Sequence, residues 1–195
     1  MQMPFDAQDM DTDEALLLAY GQGDARAARV LTLRLTPRVL SYATRLLGGD
    51  RAEAEDVAQE AMVRLWRIAP DWRIGEAQVT TWLYRVVTNL CTDRLRRRRG
   101  MGLDGIDEPA DTAPGAEARL QHAARADALQ QALDGLPMRQ REAVILRHLE
   151  GHANPQIAEI MEISIEAVES LTARGKRALA AGLAGRRAEL GFQDD

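Results

Sequence analysis

Between residues 94 and 99 the chain reads Arg-Leu-Arg-Arg-Arg-Arg, five guanidinium groups in six positions. Guanidinium groups carry fixed forks of donors that match phosphate oxygens. The run closes a helical segment, and residues 100–118 then carry Asp104, Asp107, Glu108, Asp111 and Glu117 with no basic residue. A cationic helix end fenced by an acidic segment marks a phosphate-facing surface. An ordinary solvated helix end, with arginines suited to the negative C-terminal dipole, reads the same way in isolation.

A second constellation lies between residues 154 and 177. Asn154-Pro155 is a helix start, with Asn as cap and Pro at the first helical position. Ile157, Ala158 and Met161 face inward over about two turns. Glu162-Ile163 is a tight turn, and Ser164 caps the next helix with Glu166 in its first turn. Ile165, Val168 and Leu171 pack back. A short helix, a tight turn and a longer helix make a helix-turn-helix, in which small Ala158 permits close approach. The second helix then presents Glu166, Ala167, Glu169, Ser170 and Thr172 to base edges in a major groove. Arg174, Lys176 and Arg177 follow on later turns, where phosphates lie. Two glutamates on such a face are unusual, although a carboxylate can accept from cytosine. A helical hairpin of no special function has the same spacing.

These residues need helices to hold them. Asp11 to Glu14 starts a first helix with Leu16, Leu17 and Tyr20 on one side; Gly21 and Gly23 end it. Asp24 caps a second helix to Leu47, which Thr36-Pro37 is expected to kink or break. The third, about Ala52 to Ile68, has Val57, Ala58, Ala61, Met62, Leu65 and Trp66 at helical spacing. Asp56, Glu60, Arg64 and Arg67 line another of its faces. Asp71 to Ala77 is a polar loop containing Trp72. A fourth helix runs from about Gln78 to Arg97, burying Val79, Trp82 or Leu83, Val86 and Leu90. Residues 100–118 have linker composition. Further helices start near Arg119 and at Met138, the latter running to Leu149. The expected fold is all-α, with two small helical domains joined by a flexible acidic linker: residues 10–99, 100–118 and 119–187.

Composition sets bounds on function. The net charge of −5 argues against coating nucleic acid by charge alone. Charge is nevertheless segregated: residues 85–99 hold six arginines and one aspartate, and residues 1–24 hold six acids and no Lys or Arg. Aromatic residues are only 4% of a chain that is 46% hydrophobic, so the core must be built from Leu, Ala and Val. One cysteine, Cys91, precludes an internal disulfide and reads as a small packed residue in a reducing compartment. His122, His148 and His152 lack metal-ligand spacing with one another or with Cys91, so no metal and no cofactor is expected. No apolar run approaches the roughly 20 residues that span a bilayer, and no signal-peptide core is visible, so a cytoplasmic location without membrane insertion is expected.

Three strings read together carry a resemblance. Residues 54–66, AEDVAQEAMVRLW, resemble the core-binding helix of sigma region 2. Residues 81–97, TWLYRVVTNLCTDRLRR, resemble the −10 helix of the same region. Residues 136–143, LPMRQREA, with the helix-turn-helix after them, resemble region 4. In order and spacing these are similar to the extracytoplasmic-function (ECF) class of sigma-70 factors, a two-domain class of bacterial RNA polymerase specificity subunits. The resemblance spans residues 12–183.

The resemblance implies that a four-helix region 2 bundle and a region 4 helix-turn-helix domain flank the linker. It places Asp56, Gln59, Glu60 and Arg64 against core RNA polymerase. It places Trp82, Arg85, Asn89, Asp93, Arg96 and Arg97 on the −10 element of promoter DNA, with loop 71–77 helping to capture a flipped base. It places Ser164, Glu166, Ala167, Glu169, Ser170, Arg174 and Lys176 on the −35 element. The chain departs from the common pattern at Glu169, Leu171 and Thr172, so the usual −35 sequence does not carry over. The resemblance further implies an anti-sigma factor as partner, a linker threading toward the RNA exit path, and no enzymatic activity of the chain's own. Two other readings stay open on the residues alone. One is a dimeric helix-turn-helix regulator with residues 1–99 as sensor; the other is a helical adaptor that binds only protein.

Overall fold

The computed structural model describes residues 12–75, 77–100 and 117–184. Among them run eight α-helices: α1 (Asp13–Gly21), α2 (Ala25–Leu46), α3 (Arg51–Ile68), α4 (Val79–Gly100), α5 (Glu117–Asp134), α6 (Met138–Val144), α7 (Asn154–Met161) and α8 (Ile165–Ala184). No strand occurs among the described residues. The helix expected over Met138 to Leu149 is α6 continued by a π-helical stretch, Ile145–Leu149. Most of the acidic linker, residues 101–116, lies outside the described residues.

Local chemistry sets the helix starts. Thr12 Oγ1 accepts from the Ala15 N–H at 3.2 Å, Asp24 Oδ1 from Arg26 at 2.8 Å and Asp50 Oδ1 from Glu53 at 3.0 Å. Each satisfies one orphan donor of a helix N-terminus. Ser164 Oγ does the same for α8, accepting from Ala167 at 3.2 Å. Helix α7 departs from expectation: Asn154 is already helical and Ala153 is the cap residue. The Gln156 side chain instead reaches back to the Ala153 N–H at 3.0 Å. Helix α2 is unbroken through Pro37, so of the expected kink or break the break does not occur. Pro37 is exposed and Leu33, whose carbonyl loses its donor there, is 69% exposed, so water can satisfy that carbonyl.

Helices α1–α4 pack around Leu16, Leu17, Leu31, Leu35, Val39, Val57, Ala61 and Leu65. Helix α4 buries Val79, Leu83, Tyr84, Val87, Leu90 and Cys91, while Trp82 and Val86 are only half-buried. Of the two alternatives Trp82 and Leu83, the core takes Leu83, and Val87 takes the place expected for Val86. Tyr42 is fully buried and shares a 2.8 Å hydrogen bond with Thr88. Burial pushes its hydroxyl well above the usual range.

Helices α5–α8 bury Leu133, Ala143, Val144, Ile145, Leu146, Ile157, Ile160, Met161 and Val168. Ala158 is half-buried, and a separate close approach, between α8 and α6, is made at Gly175. A Cβ there would lie 2.6 Å from Val144 Cγ2 and 3.1 Å from the Gln140 carbonyl oxygen. Ile165, expected to pack back, is 42% exposed. The two groups of helices share one continuous apolar cluster, with α4 packed against α7.

Candidate nucleic-acid interface

Helix α4 carries most of the first candidate surface. Arg85, Asn89, Asp93, Arg96 and Arg97 recur at spacings of three, four or one, which places them along one side of a 3.6-residue helix. Asn89, Asp93, Arg96 and Arg97 are exposed. Arg85 is half-buried and ion-pairs with Glu162 at 3.3 Å. The arginine run does not act as a unit. Arg98 pairs with Asp50 and, at 3.1 Å, with Glu53 on α3. Arg94 lines a cleft, and the Arg99 side chain lies outside the described residues.

Trp82 stands at the entry to this surface, half-buried and edge-on to Trp72, with centroids 6.3 Å apart and planes at 86°. Trp72, expected in a polar loop, is itself half-buried, and its Nε1 is covered without a hydrogen-bond partner among the described residues. Beside it Ile74 is 70% exposed and Gly75 adopts φ +90°. The loop thus offers an apolar lip and an indole wall next to the exposed polar face of α4. That combination suits an unstacked base more than a metal or a small polar ligand.

Asp56, Gln59, Glu60 and Arg64 lie on α3, with Arg64 donating to Glu60 at 2.9 Å. Asp56, Gln59 and Arg64 are exposed. Together with Val63 they share an open cleft of about 440 Å³ with Leu90, Arg94 and Arg97 of α4. The α3 and α4 surfaces therefore border each other. An anionic rim meets a cationic one across the cleft, over an apolar floor of Val63 and Leu90.

The second surface is the helix-turn-helix. The turn is made by Glu162 in the left-handed region, φ 53° and ψ 50°. Of the α8 residues, Glu166, Glu169, Ser170, Arg174 and Lys176 are exposed, as is Ser164, while Ala167 is half-buried. Glu166 is anchored: the backbone N–H at the α8 start and the Ser164 hydroxyl hold its carboxyl below the usual range. Glu169 receives Asn154 Nδ2 at 3.5 Å, and Arg174 Nε donates to the Ser170 carbonyl at 3.3 Å. Thr172, expected on the open face, is half-buried with Oγ1 covered. It continues the inward stripe of Val168, Leu171 and Gly175, four residues after Val168.

Cys91 is fully buried, and burial pushes its thiol up to about 12. A thiol held protonated packs as an apolar group. Among the described residues no cluster of His, Cys, Asp or Glu is placed to hold a metal ion. No described helix is long and apolar enough to cross a membrane. Four polar residues escaped the sequence reading: Arg45, Tyr84, Glu142 and Glu150. Glu142 had one visible signal, its position directly before the apolar run 143–146. Glu150 had none.

The described residues are helical, and they present an exposed basic helix face and a helix-turn-helix, the arrangement of a nucleic-acid-binding protein. Residues 31–100 match the family model for Sigma-70 region 2, and residues 126–179 match that for Sigma-70 region 4. The ECF RNA polymerase sigma factor SigM of Mycobacterium tuberculosis is 34% identical over 169 residues, covering 87% of this chain and 83% of SigM. SigE of Mycolicibacterium smegmatis is 34% identical over 146 residues, covering 73% of this chain but 56% of SigE. The solved structure of CnrH in complex with the cytosolic domain of CnrY superposes with a TM-score of 0.67 at 27% identity, covering 90% of this chain and 99% of CnrH. The chain belongs to the sigma-70 family, and within it to the ECF class of RNA polymerase sigma factors. As such it acts in promoter-directed transcription initiation.

Proposed function

We propose that residues 10–99 bind core RNA polymerase through Asp56, Gln59, Glu60 and Arg64. The same domain reads the −10 element through Trp82, Arg85, Asn89, Asp93, Arg96 and Arg97. Residues 119–187 read the −35 element through Ser164, Glu166, Ala167, Glu169, Ser170, Arg174 and Lys176, and residues 100–118 tether the two. The chain catalyses nothing itself; the polymerase supplies the chemistry, in the cytoplasm. An anti-sigma factor is the expected regulator. CnrH, solved with the cytosolic domain of a second protein, supports a partner of that kind.

One observation carries this reading: the α3 cleft residues and the α4 arginines border the same open cleft. A docked polymerase would therefore sit directly beside the strand that α4 contacts. Within the −35 surface Glu166 caps its own helix, so Ser170, Glu169 and Arg174 are left as the groups best placed for DNA.

The test is run-off transcription with purified core polymerase and a candidate promoter. The wild-type chain should bind core and stimulate initiation. Asp56→Arg with Glu60→Arg should abolish core association while the far-UV spectrum stays native. Unchanged core affinity in that variant would move the docking face elsewhere. Failure of the wild type to bind core would overturn the reading.

A further inference from the structure

Helix α1 carries no residue of either DNA surface or of the α3 face, yet it touches both ends of the loop that holds Trp72. The near end is a 3₁₀ turn, Ala69–Asp71, that follows α3. Gly21, the last residue of α1, packs directly on it. A Cβ at Gly21 would stand 2.7 Å from the Ala69 carbonyl oxygen, 3.1 Å from its carbonyl carbon and 3.3 Å from Pro70 Cα. All three are backbone atoms, which cannot rotate aside, so only glycine permits this approach. The same Ala69 carbonyl accepts from the Trp72 N–H at 3.3 Å, where the chain turns into the loop.

The far end is the start of α4. Val79, its first residue, is fully buried, and its N–H is one of the four orphan donors of that helix. The acceptor comes from 65 residues away: Glu14 Oε1 of α1 receives it at 3.0 Å. A carboxylate also suits the positive end of the α4 dipole. Helix α1 is itself held on three sides. Leu16 and Leu17 are buried, Asp13 Oδ1 accepts from Arg34 Nη1 of α2 at 2.8 Å, and Tyr20 meets Trp66 of α3 with centroids 4.8 Å apart.

Glu14 and Gly21 are separated by about 10 Å of helix. The loop segment from Trp72 to Gln78 could reach about 25 Å if extended. Anchored on so short a helix, the loop has to bow outward. Ile74 accordingly stands 70% exposed, and Trp72 lies edge-on to Trp82. We propose that α1 is a brace for base capture, with Glu14 and Gly21 as positioning residues for the loop and for Trp82. Neither residue touches DNA. They fix where the indole wall and the apolar lip stand relative to the exposed face of α4. Losing either anchor lets one end of the loop drift, and Trp72 and Trp82 then no longer frame one gap. The role in base capture rests on the sigma reading; the brace itself does not.

The test has two arms on the full chain. The first needs no polymerase. Hydrogen exchange on the free protein should show a protected Val79 amide. Glu14→Ala should speed its exchange by about fivefold, the order set by losing one helix cap. Glu14→Gln keeps an acceptor oxygen and should restore protection. The second arm uses holoenzyme and a candidate promoter carrying 2-aminopurine in place of a −10 adenine, whose fluorescence rises as the base leaves the stack. Glu14→Ala should slow that rise by about the same factor at unchanged core affinity. Glu14→Gln should restore it, and Gly21→Ala, which pushes Ala69 away, should slow it. The Glu14 pair decides the question even where Gly21→Ala misfolds. A Val79 amide that exchanges as fast in wild type as in Glu14→Ala would overturn the brace. Capture unchanged in Glu14→Ala, or not restored by Glu14→Gln, would overturn the positioning role. So would a parallel loss of core affinity, which marks a general loss of fold. Wild type that fails to bind core would sink the sigma reading while leaving the exchange result intact.

Discussion

Arg98, near the end of α4, lies across Asp50, the cap residue of α3. Burial alone would raise the Asp50 carboxyl, but the Glu53 N–H and the Arg98 guanidinium outweigh it and hold the carboxyl below its usual range. Arg98 therefore ties two helices together. Arg96 and Arg97, its neighbours in the same run, are exposed.

This division predicts two opposite phenotypes within three residues. Arg98→Ala should lower unfolding stability by about 1 kcal/mol, because the pair is partly screened by solvent. Arg96→Glu with Arg97→Glu should leave thermal unfolding unchanged and weaken promoter binding, most at low salt. Chemical denaturation and a salt series of promoter affinities read both. Equal stability losses in the two variants would show that the run acts as a unit.

Asn89 is exposed on the same side of α4, so Asn89→Ala should change stability by no more than about 0.5 kcal/mol. Promoter opening should fall while core affinity stays the same. A drop in core affinity instead would place Asn89 in the docking surface.

Gly175→Ala sets two effects against each other. Helix propensity favours alanine by about 1 kcal/mol. The new methyl, however, would meet Val144 Cγ2 at 2.6 Å and the Gln140 backbone oxygen at 3.1 Å. A backbone atom cannot rotate aside, so a net loss of about 1–3 kcal/mol is expected. A raised melting temperature would show that α8 shifts away from α6 at little cost.

Glu142 is 2% exposed, and burial raises its carboxyl to about 7 against a smaller opposing pull from Arg139. Arg139 stands 3.9 Å away, too far to hydrogen bond, and Oε2 has no partner among the described residues. Tyr42 and Cys91, which interact with it electrostatically from α2 and α4, are themselves held protonated by burial. The folded state therefore favours protonated Glu142, and its stability falls as pH rises toward and through 7. Glu142→Gln should remove that slope, gaining roughly 2 kcal/mol on wild type between pH 5.5 and pH 8. Parallel pH profiles for the two proteins would show that Glu142 is solvated after all.

The sequence by itself determined the helices, the caps of α1, α2 and α8, and most of the residues offered on each face. Those are local properties: Thr12, Asp24 and Ser164 bond within three residues, and apolar spacing follows the helical period. Local reading failed where a partner came from outside the window. Pro37 did not break α2 because its surroundings are wet, and in α4 the buried place expected for Val86 passed to Val87. Only the tertiary structure decided that Arg98 braces α3 while Arg96 and Arg97 stay free of it. Only it brought Glu150 to Arg45 and Tyr84. Contacts between residues 66 or 105 positions apart leave no periodic trace, because packing of whole helices, not chain neighbours, brings them together.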